Sequence, residues 1–414
     1  MSTLSDPPEG SFRLSMLLND TRYRSLTLQA VAAIALALAL YYLYSNLAAN
    51  LRAAGLNISF SFLGSSAGYD INQTLIDYNS QSSNFKAAIV GILNTLLVAI
   101  LACITATILG VFAGVLRLSN NWLVRKLMAG YVEIFRNIPV LIWIIIIFTI
   151  LTAVMPGARA YLGEEPERGL IGGIFAFTNR GVYMPAPFFT NGFGGGEGSG
   201  LNWLMLIAVL VASFFGARAV TQSANRKQEA TGVRPNTLLI NLAIWLLPLV
   251  IFSLIFGLSW DMPDPLANRF NLQGGIQIGA PLIALWFALS IYTGAFIAEN
   301  VRAGIQAVSN GQTEAAAALG LRPNRVMSLV VLPQALRVII PPLISQYLNI
   351  TKNSSLAIAV GYADITATLG GITLNQTGRA IECVLLLMLF YLVISLSISA
   401  VMNVYNNSMK LKER

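Results

Sequence analysis

Eight stretches of this sequence stay apolar for about twenty residues or longer, and that repetition rules out a water-soluble fold. They lie near 25–47, 88–116, 128–155, 201–220, 237–258, 279–303, 330–360 and 380–405. A helix needs about 20 residues to cross the hydrocarbon core, so each stretch is long enough to span a bilayer. Charged residues make up 11% of the 414, less than half the roughly 25% of an ordinary soluble domain. They sit in the short intervals between the apolar runs. The expected fold class is therefore all-α: a polytopic helical membrane protein with about eight transmembrane helices. The first run follows Arg13, Arg22 and Arg24 and is longer than the apolar region of a signal peptide, with no cleavage site after it. It is expected to be retained as a helix.

Orientation follows from the lysine and arginine bias. Placing the N-terminus inside puts 18 of the 26 basic residues at cytoplasmic positions or adjoining helix ends. The other eight are Arg52, Lys86, Arg159, Arg168, Arg180, Arg269, Lys352 and Arg379. An even number of spans returns the C-terminus to the same side. The net charge of +8 is thus accounted for by topology, and nucleic acid is not required. The segments 48–87 and 156–200 fall outside; they are polar, rich in Gly, Ser and Asn, and include Glu164, Glu165 and Glu167.

Several chemistries lose their material. The chain has no histidine, the commonest general base and metal ligand. Cys103 and Cys383 lie inside apolar runs at no metal or disulfide spacing and read as packing residues. The glycine tract Gly192–Gly198 follows no strand and precedes no Gly-Lys-Ser/Thr, and no Walker A pattern occurs elsewhere, so this chain holds no nucleotide by a P-loop. The tract is expected to be flexible.

The most informative segment separates the sixth and seventh runs: Asn310-Gly311-Gln312-Thr313-Glu314-Ala315-Ala316-Ala317-Ala318-Leu319-Gly320-Leu321-Arg322-Pro323. Its alanines favour helix, Glu314 is expected in the first turn to complement the dipole, and Gly320 and Pro323 are stop signals. A short helix outside the membrane is expected, with an alanine surface that permits close approach of a partner. A capped connector with no partner is the plain alternative.

The spacing favours a partner. Glu314-Ala315-Ala316, Gly320, Val330 and Leu332-Pro333 resemble the EAA signature of ABC importer permeases, with Val330 where that family usually has isoleucine. Glu133-Ile134-Phe135-Arg136-Asn137-Ile138-Pro139, Ala298-Glu299-Asn300-Val301-Arg302 and Lys352-Asn353-Ser354-Ser355-Leu356 are similar to segments of the polar amino acid permease branch, Ser354 replacing threonine. The outer segment Thr178-Asn179-Arg180-Gly181-Val182-Tyr183 resembles the Q-type permease of general L-amino acid transporters.

This resemblance implies a five-helix type I ABC importer core in two parts, 88–155 and 279–405, with the coupling loop at 306–326. An extra first helix at 25–47 and an insertion at 156–278 stand outside it, and 1–24 and 406–414 are cytoplasmic ends. It implies translocation of L-amino acids from periplasm to cytoplasm in a bacterial inner membrane. The partners would be an ATPase dimer holding ATP and Mg, a second related permease and a periplasmic binding protein. This chain itself would be neither an enzyme nor a cofactor carrier. Glu314, Ala315, Ala316, Gly320 and Arg322 would face the ATPase, although Gly320 also serves as a plain helix stop and Arg322 suits lipid phosphate.

For the substrate route, Pro341-Pro342 are expected to interrupt the seventh span, beside Gln346, Asn349, Lys352, Ser354 and Ser355, with Tyr292 on the sixth. Lys352 alternatively lies at the interface or pairs with Glu382 or Asp364. Asn94, Thr95, Thr105 and Thr107 read as interhelical hydrogen-bonding groups, and Glu299 with Arg302 as an ion pair. An ion-gradient-driven secondary transporter would share the spans and Lys352 but not the Glu314 spacing.

Overall fold

The computed structural model describes residues 21–53, 55, 57–162, 169–193, 200–233, 235–265 and 270–409. Glu164, Glu165, Glu167, most of the glycine tract and both chain ends lie outside these residues. Two compact units divide the chain, one up to Phe62 and one from Leu63 onward. The first contains α1 (Thr21–Ala53), apolar along its length and exposed almost throughout. Lipid is the natural solvent for such a surface.

The second unit contains α2 (Asn84–Leu116), α3 (Trp122–Asn137), α4 (Val140–Val154), α5 (Gly200–Thr231), α6 (Leu238–Phe256) and α7 (Ala280–Gln306). After these come α8 (Asn310–Ala318), α9 (Leu332–Asn353) and α10 (Ala380–Met409). Seven helices of the described residues are long and apolar enough to cross a membrane, and a bent pair brings the number to eight. That pair corrects the expectation of one span over 128–155: α3 and α4 meet at 105°. Pro139 forces the preceding Ile138 into extended backbone (φ −108°, ψ 131°), which a straight helix cannot accommodate.

The core is built where α2 and α7 touch. Gly110 and Gly114 lie one turn apart on α2, and a Cβ on Gly110 would stand 2.5 Å from Cβ of Ile297. A Cβ on Gly114 would stand 2.7 Å from the carbonyl oxygen of Ala298. With Ala102, Ala106 and Ala113 on one side and Ala284, Ala288, Ala295 and Ala298 on the other, all buried, the two backbones approach as closely as small residues allow. The hydroxyls and amides of α2 bond across helices as expected. Trp286 Nε1 donates to Thr105 (3.0 Å), Thr107 shares a hydrogen bond with Tyr347 (2.8 Å), and Asn94 Nδ2 donates to the carbonyls of Gln73 and Ala363 (both 2.9 Å). The insertion helices α5 and α6 pack on each other, where Asn241 donates to Thr221 at 3.3 Å.

Glu299 does more than pair with Arg302. Its carboxylate accepts from Arg302 Nε at 3.3 Å and also from Arg117 at the end of α2, so one acid ties two helices. Glu299→Gln leaves two guanidiniums facing each other at a site about a quarter exposed. We expect a loss of roughly 1–3 kcal/mol, less than for a fully buried pair because water screens the site. It is read as an earlier thermal transition of the detergent-solubilised protein; an unchanged transition would make the network ornamental.

Within the mostly helical fold the segments on either side of α5 and α6 form short strands: β1 (Ala176–Thr178), β2 (Gly181–Met184), β3 (Ala186–Phe189), β4 (Leu258–Asp261) and β5 (Ile276–Gly279). They run antiparallel in the orders β1-β2-β5 and β3-β4. The segment resembling the Q-type permeases is the β1–β2 hairpin itself, with Thr178 opposite Gly181. Gly181 (φ +133°) packs so closely that a Cβ would stand 2.1 Å from the carbonyl oxygen of Ile278.

Candidate functional site

The loop between α7 and α9 is a built element. Ser309, in extended backbone, starts α8, and its hydroxyl makes no cap. Gly320 (φ +76°) ends it with two hydrogen bonds, Gly320 N to Ala317 O (2.9 Å) and Leu321 N to Ala316 O (3.4 Å). This double closure is the Schellman motif, and it comes with the apolar contact that usually accompanies it. Ala316 is buried against Val326 and Val331, with Leu321 and Ile305 packed on the cluster. The rest of the helix faces out: Glu314 and Ala315 are exposed, and Leu319 at 82% is the most exposed large apolar side chain of the described residues.

Glu314 is the fifth residue of α8, beyond the first turn, so the expected dipole contact and capping role are absent. The helix begins earlier than its alanine run because Asn310, Gly311 and Gln312 already hold helical backbone. Arg322 caps the following turn Pro323–Val326 through its carbonyl, which accepts from Arg325 N (2.8 Å) and Val326 N (3.0 Å); its side chain is exposed. Leu319 escaped the sequence reading. The signal that points to it is an apolar residue in a solvent-side loop directly before a helix-ending glycine.

The expected route residues fall into two groups. Pro341 and Pro342 do not interrupt α9, which is continuous from Leu332 to Asn353. Val338 and both prolines are exposed, so the two lost backbone bonds fall on a face with room to relax. The irregular backbone lies at the ends instead, as a π turn at Met327–Val331 and a 3₁₀ segment at Ser354–Val360. Val338, Pro342, Ser345, Asn349 and Lys352, at alternate spacings of four and three, share one exposed face, while Ile339, Ile350 and Thr351 are buried.

Lys352 therefore points away from this chain's own bundle. Neither pairing considered for it occurs: Glu382 pairs with Arg379 at 3.3 Å, and Asp364 accepts from Ala367 N at 2.8 Å. Gln346 and Ser355 are half-buried, and Ser354 is buried with its hydroxyl on the carbonyl of Thr351 (2.7 Å). Tyr292 packs on the core beside Phe296, ring centroids 5.1 Å apart, and is not part of the exposed stripe. No group of three or more metal-ligating side chains occurs among the described residues.

The family profile of binding-protein-dependent transport system inner membrane components matches residues 236–411, which contain α8 and the α9 stripe. The glutamate/glutamine/aspartate/asparagine transport system permease protein BztB of Rhodobacter capsulatus is 53% identical over 100% of both chains. The general L-amino acid transport system permease protein AapQ of Rhizobium johnstonii is 44% identical over 98% of this chain and 96% of its own. A crystal structure of an amino acid ABC transporter with histidines aligns over 78% of this chain and 94% of that one, at 18% identity and a TM-score of 0.44, too distant to carry an argument. With an exposed, doubly closed loop helix at the family's signature and full-length identity to such permeases, the chain belongs to the binding-protein-dependent transport system inner membrane components, among relatives named as amino acid transport permeases.

Proposed function

We propose that this chain is one of two permeases through which an ATP-driven importer moves polar L-amino acids from periplasm to cytoplasm. The observation that carries the reading is α8: a short helix anchored through Ala316 to the cytoplasmic end of the bundle, presenting Glu314, Ala315 and Leu319 outward. An exposed leucine flanked by small residues suits insertion into a cleft of another protein. That protein is an ATPase dimer, which holds ATP and Mg outside this chain and passes its closure to α7 and α9 as a lever. The names of BztB and AapQ support amino acids as the cargo, delivered by a periplasmic binding protein.

The exposed face of α9 supports the second permease. Ser345, Asn349 and Lys352 lie on a face of a membrane helix that is exposed among the described residues. A lysine facing hydrocarbon costs about 2.5–3.5 kcal/mol, whereas a facing permease with water between the two removes that cost. A related but different chain is the natural partner, and the route runs between the two. The basic bias supports an inner-membrane topology with both ends cytoplasmic.

No feature of the fold favours an ion-gradient carrier. The test is reconstitution of the permeases, ATPase and binding protein in liposomes containing ATP. Uptake that needs internal ATP and stops with a hydrolysis-deficient ATPase agrees with the reading. Uptake driven by a sodium or proton gradient without the ATPase overturns it.

A further inference from the structure

At the far end of α7 from the loop helix lies a partly enclosed cavity of about 540 Å³. The 27 residues of α7 separate the two by about 40 Å, so the cavity opens on the outer side. Its volume falls within the roughly 300–1,000 Å³ of small-molecule sites. Its walls are the loop at Asp70–Gln73, the hairpin turn Asn179-Arg180, the start of α7 and the Gly361–Ala363 turn.

These walls are held in place. Asn94 Nδ2 clamps the first and last to α2 through Gln73 O and Ala363 O, and the hydroxyl of Tyr362 donates to Asn94 O at 3.1 Å. The hairpin is fixed to α7 by Ala280 N, which donates to Arg180 O at 3.1 Å, and to the chain just past α4 by Asn179 N, which donates to Pro156 O at 2.8 Å.

The lining carries exposed side chains of both charges, with Arg180 Nη1 3.5 Å from the carbonyl oxygen of Phe270. It contains one carboxylate, Asp70, and one guanidinium, Arg180, and neither belongs to any of the ion pairs of the described residues. Beside them, Asn179, Gln73 and Gln277 add neutral amides. A separated acid and base plus neutral amides match an α-amino acid zwitterion with a polar side chain.

We propose that this cavity is a receiving site on the permease itself for such an amino acid. Arg180 takes the α-carboxylate, a pairing for which its planar fork is suited, and Asp70 takes the α-ammonium. The inference rests on the amino acid reading above and adds a site that belongs neither to the loop helix nor to the α9 stripe.

The experiment measures equilibrium binding of tritiated L-glutamine to the assembled permease–ATPase complex in lipid nanodiscs, without binding protein or nucleotide. Unlabelled glutamine competes in one arm and 4-aminobutanamide, which lacks the α-carboxylate, in the other. Wild type is expected to prefer glutamine. Arg180→Gln is expected to lose that preference and bind glutamine about tenfold or more weakly, Arg180→Lys to recover part of it, and Asp70→Asn to weaken both ligands. Size-exclusion profiles establish that each variant assembles. Absence of saturable binding in wild type, or affinity and discrimination unchanged in Arg180→Gln and Asp70→Asn, overturns the site. ATP-dependent uptake, measured in parallel, reports separately on the importer reading and survives that outcome.

Discussion

Replacing Glu314 with lysine is expected to cut ATP-driven uptake by about thirtyfold or more while the membrane bundle folds and inserts normally. The side chain is exposed, forms no ion pair among the described residues and lies past the first turn of α8. Lysine and glutamate have similar helix propensity, so the substitution costs the helix a few tenths of a kcal/mol at most. No ion pair or hydrogen bond of the described residues uses the Glu314 side chain, so a loss on reversing its charge is expected at a partner's surface. The helix is positioned separately, by Ala316 on Val326 and Val331 and by the Gly320 closure. Uptake by reconstituted complex, with co-purification of the ATPase, decides the matter. Full uptake by the lysine variant would remove Glu314 from the coupling surface.

Gly110→Val tests the opposite end of the energetic scale, the packing that holds the bundle. A single Cβ at this position already stands 2.5 Å from Ile297 Cβ and 2.9 Å from Gly294 O, closer than real carbon contacts allow. Valine adds two methyl groups to that overlap, and its stiff χ1 gives them no route around the α7 backbone. The helices must separate, and they lose the close contact among Ala106, Ala113, Ala295 and Ala298 together with it. Overpacking of this kind costs about 3 kcal/mol. The expected result is a sharp fall in monodisperse protein recovered in detergent, with a melting transition well below wild type. Ala102→Gly, which removes a methyl from the same buried face without overlap, is the milder comparison. Equal stability of Gly110→Val and wild type would mean that α2 and α7 do not touch at this point.

How far the sequence could be read depended on the range of the interaction that decides each feature. The spans were legible because hydropathy is a sum over neighbouring residues, and the α8 stop because Gly320 and Pro323 act on their own backbone. The EAA spacing identified the loop even though the local argument about Glu314 misplaced it by a turn. The bend at Ile138–Pro139 was in principle readable from the proline, yet the apolar run on both sides hid it. For Pro341-Pro342 the error ran the other way. Proline lowers helix stability, but whether the helix breaks depends on what packs over the freed carbonyls, and that face of α9 is open.

The amino-acid sequence by itself determined that this chain is a bundle of membrane helices with a capped helix on its basic side, because hydrophobicity, charge bias and cap residues act locally. Only the tertiary structure decided which polar groups meet: Glu299 with both Arg117 and Arg302, Ser345, Asn349 and Lys352 on one exposed face, and Asp70 and Arg180 on one cavity at the start of α7. These groups come from segments up to 182 residues apart, as Arg117 and Glu299 are, and no local pattern encodes their approach. It follows from the close packing of α2 on α7 and from the antiparallel strands that bring β2 and β5 together at the start of α7.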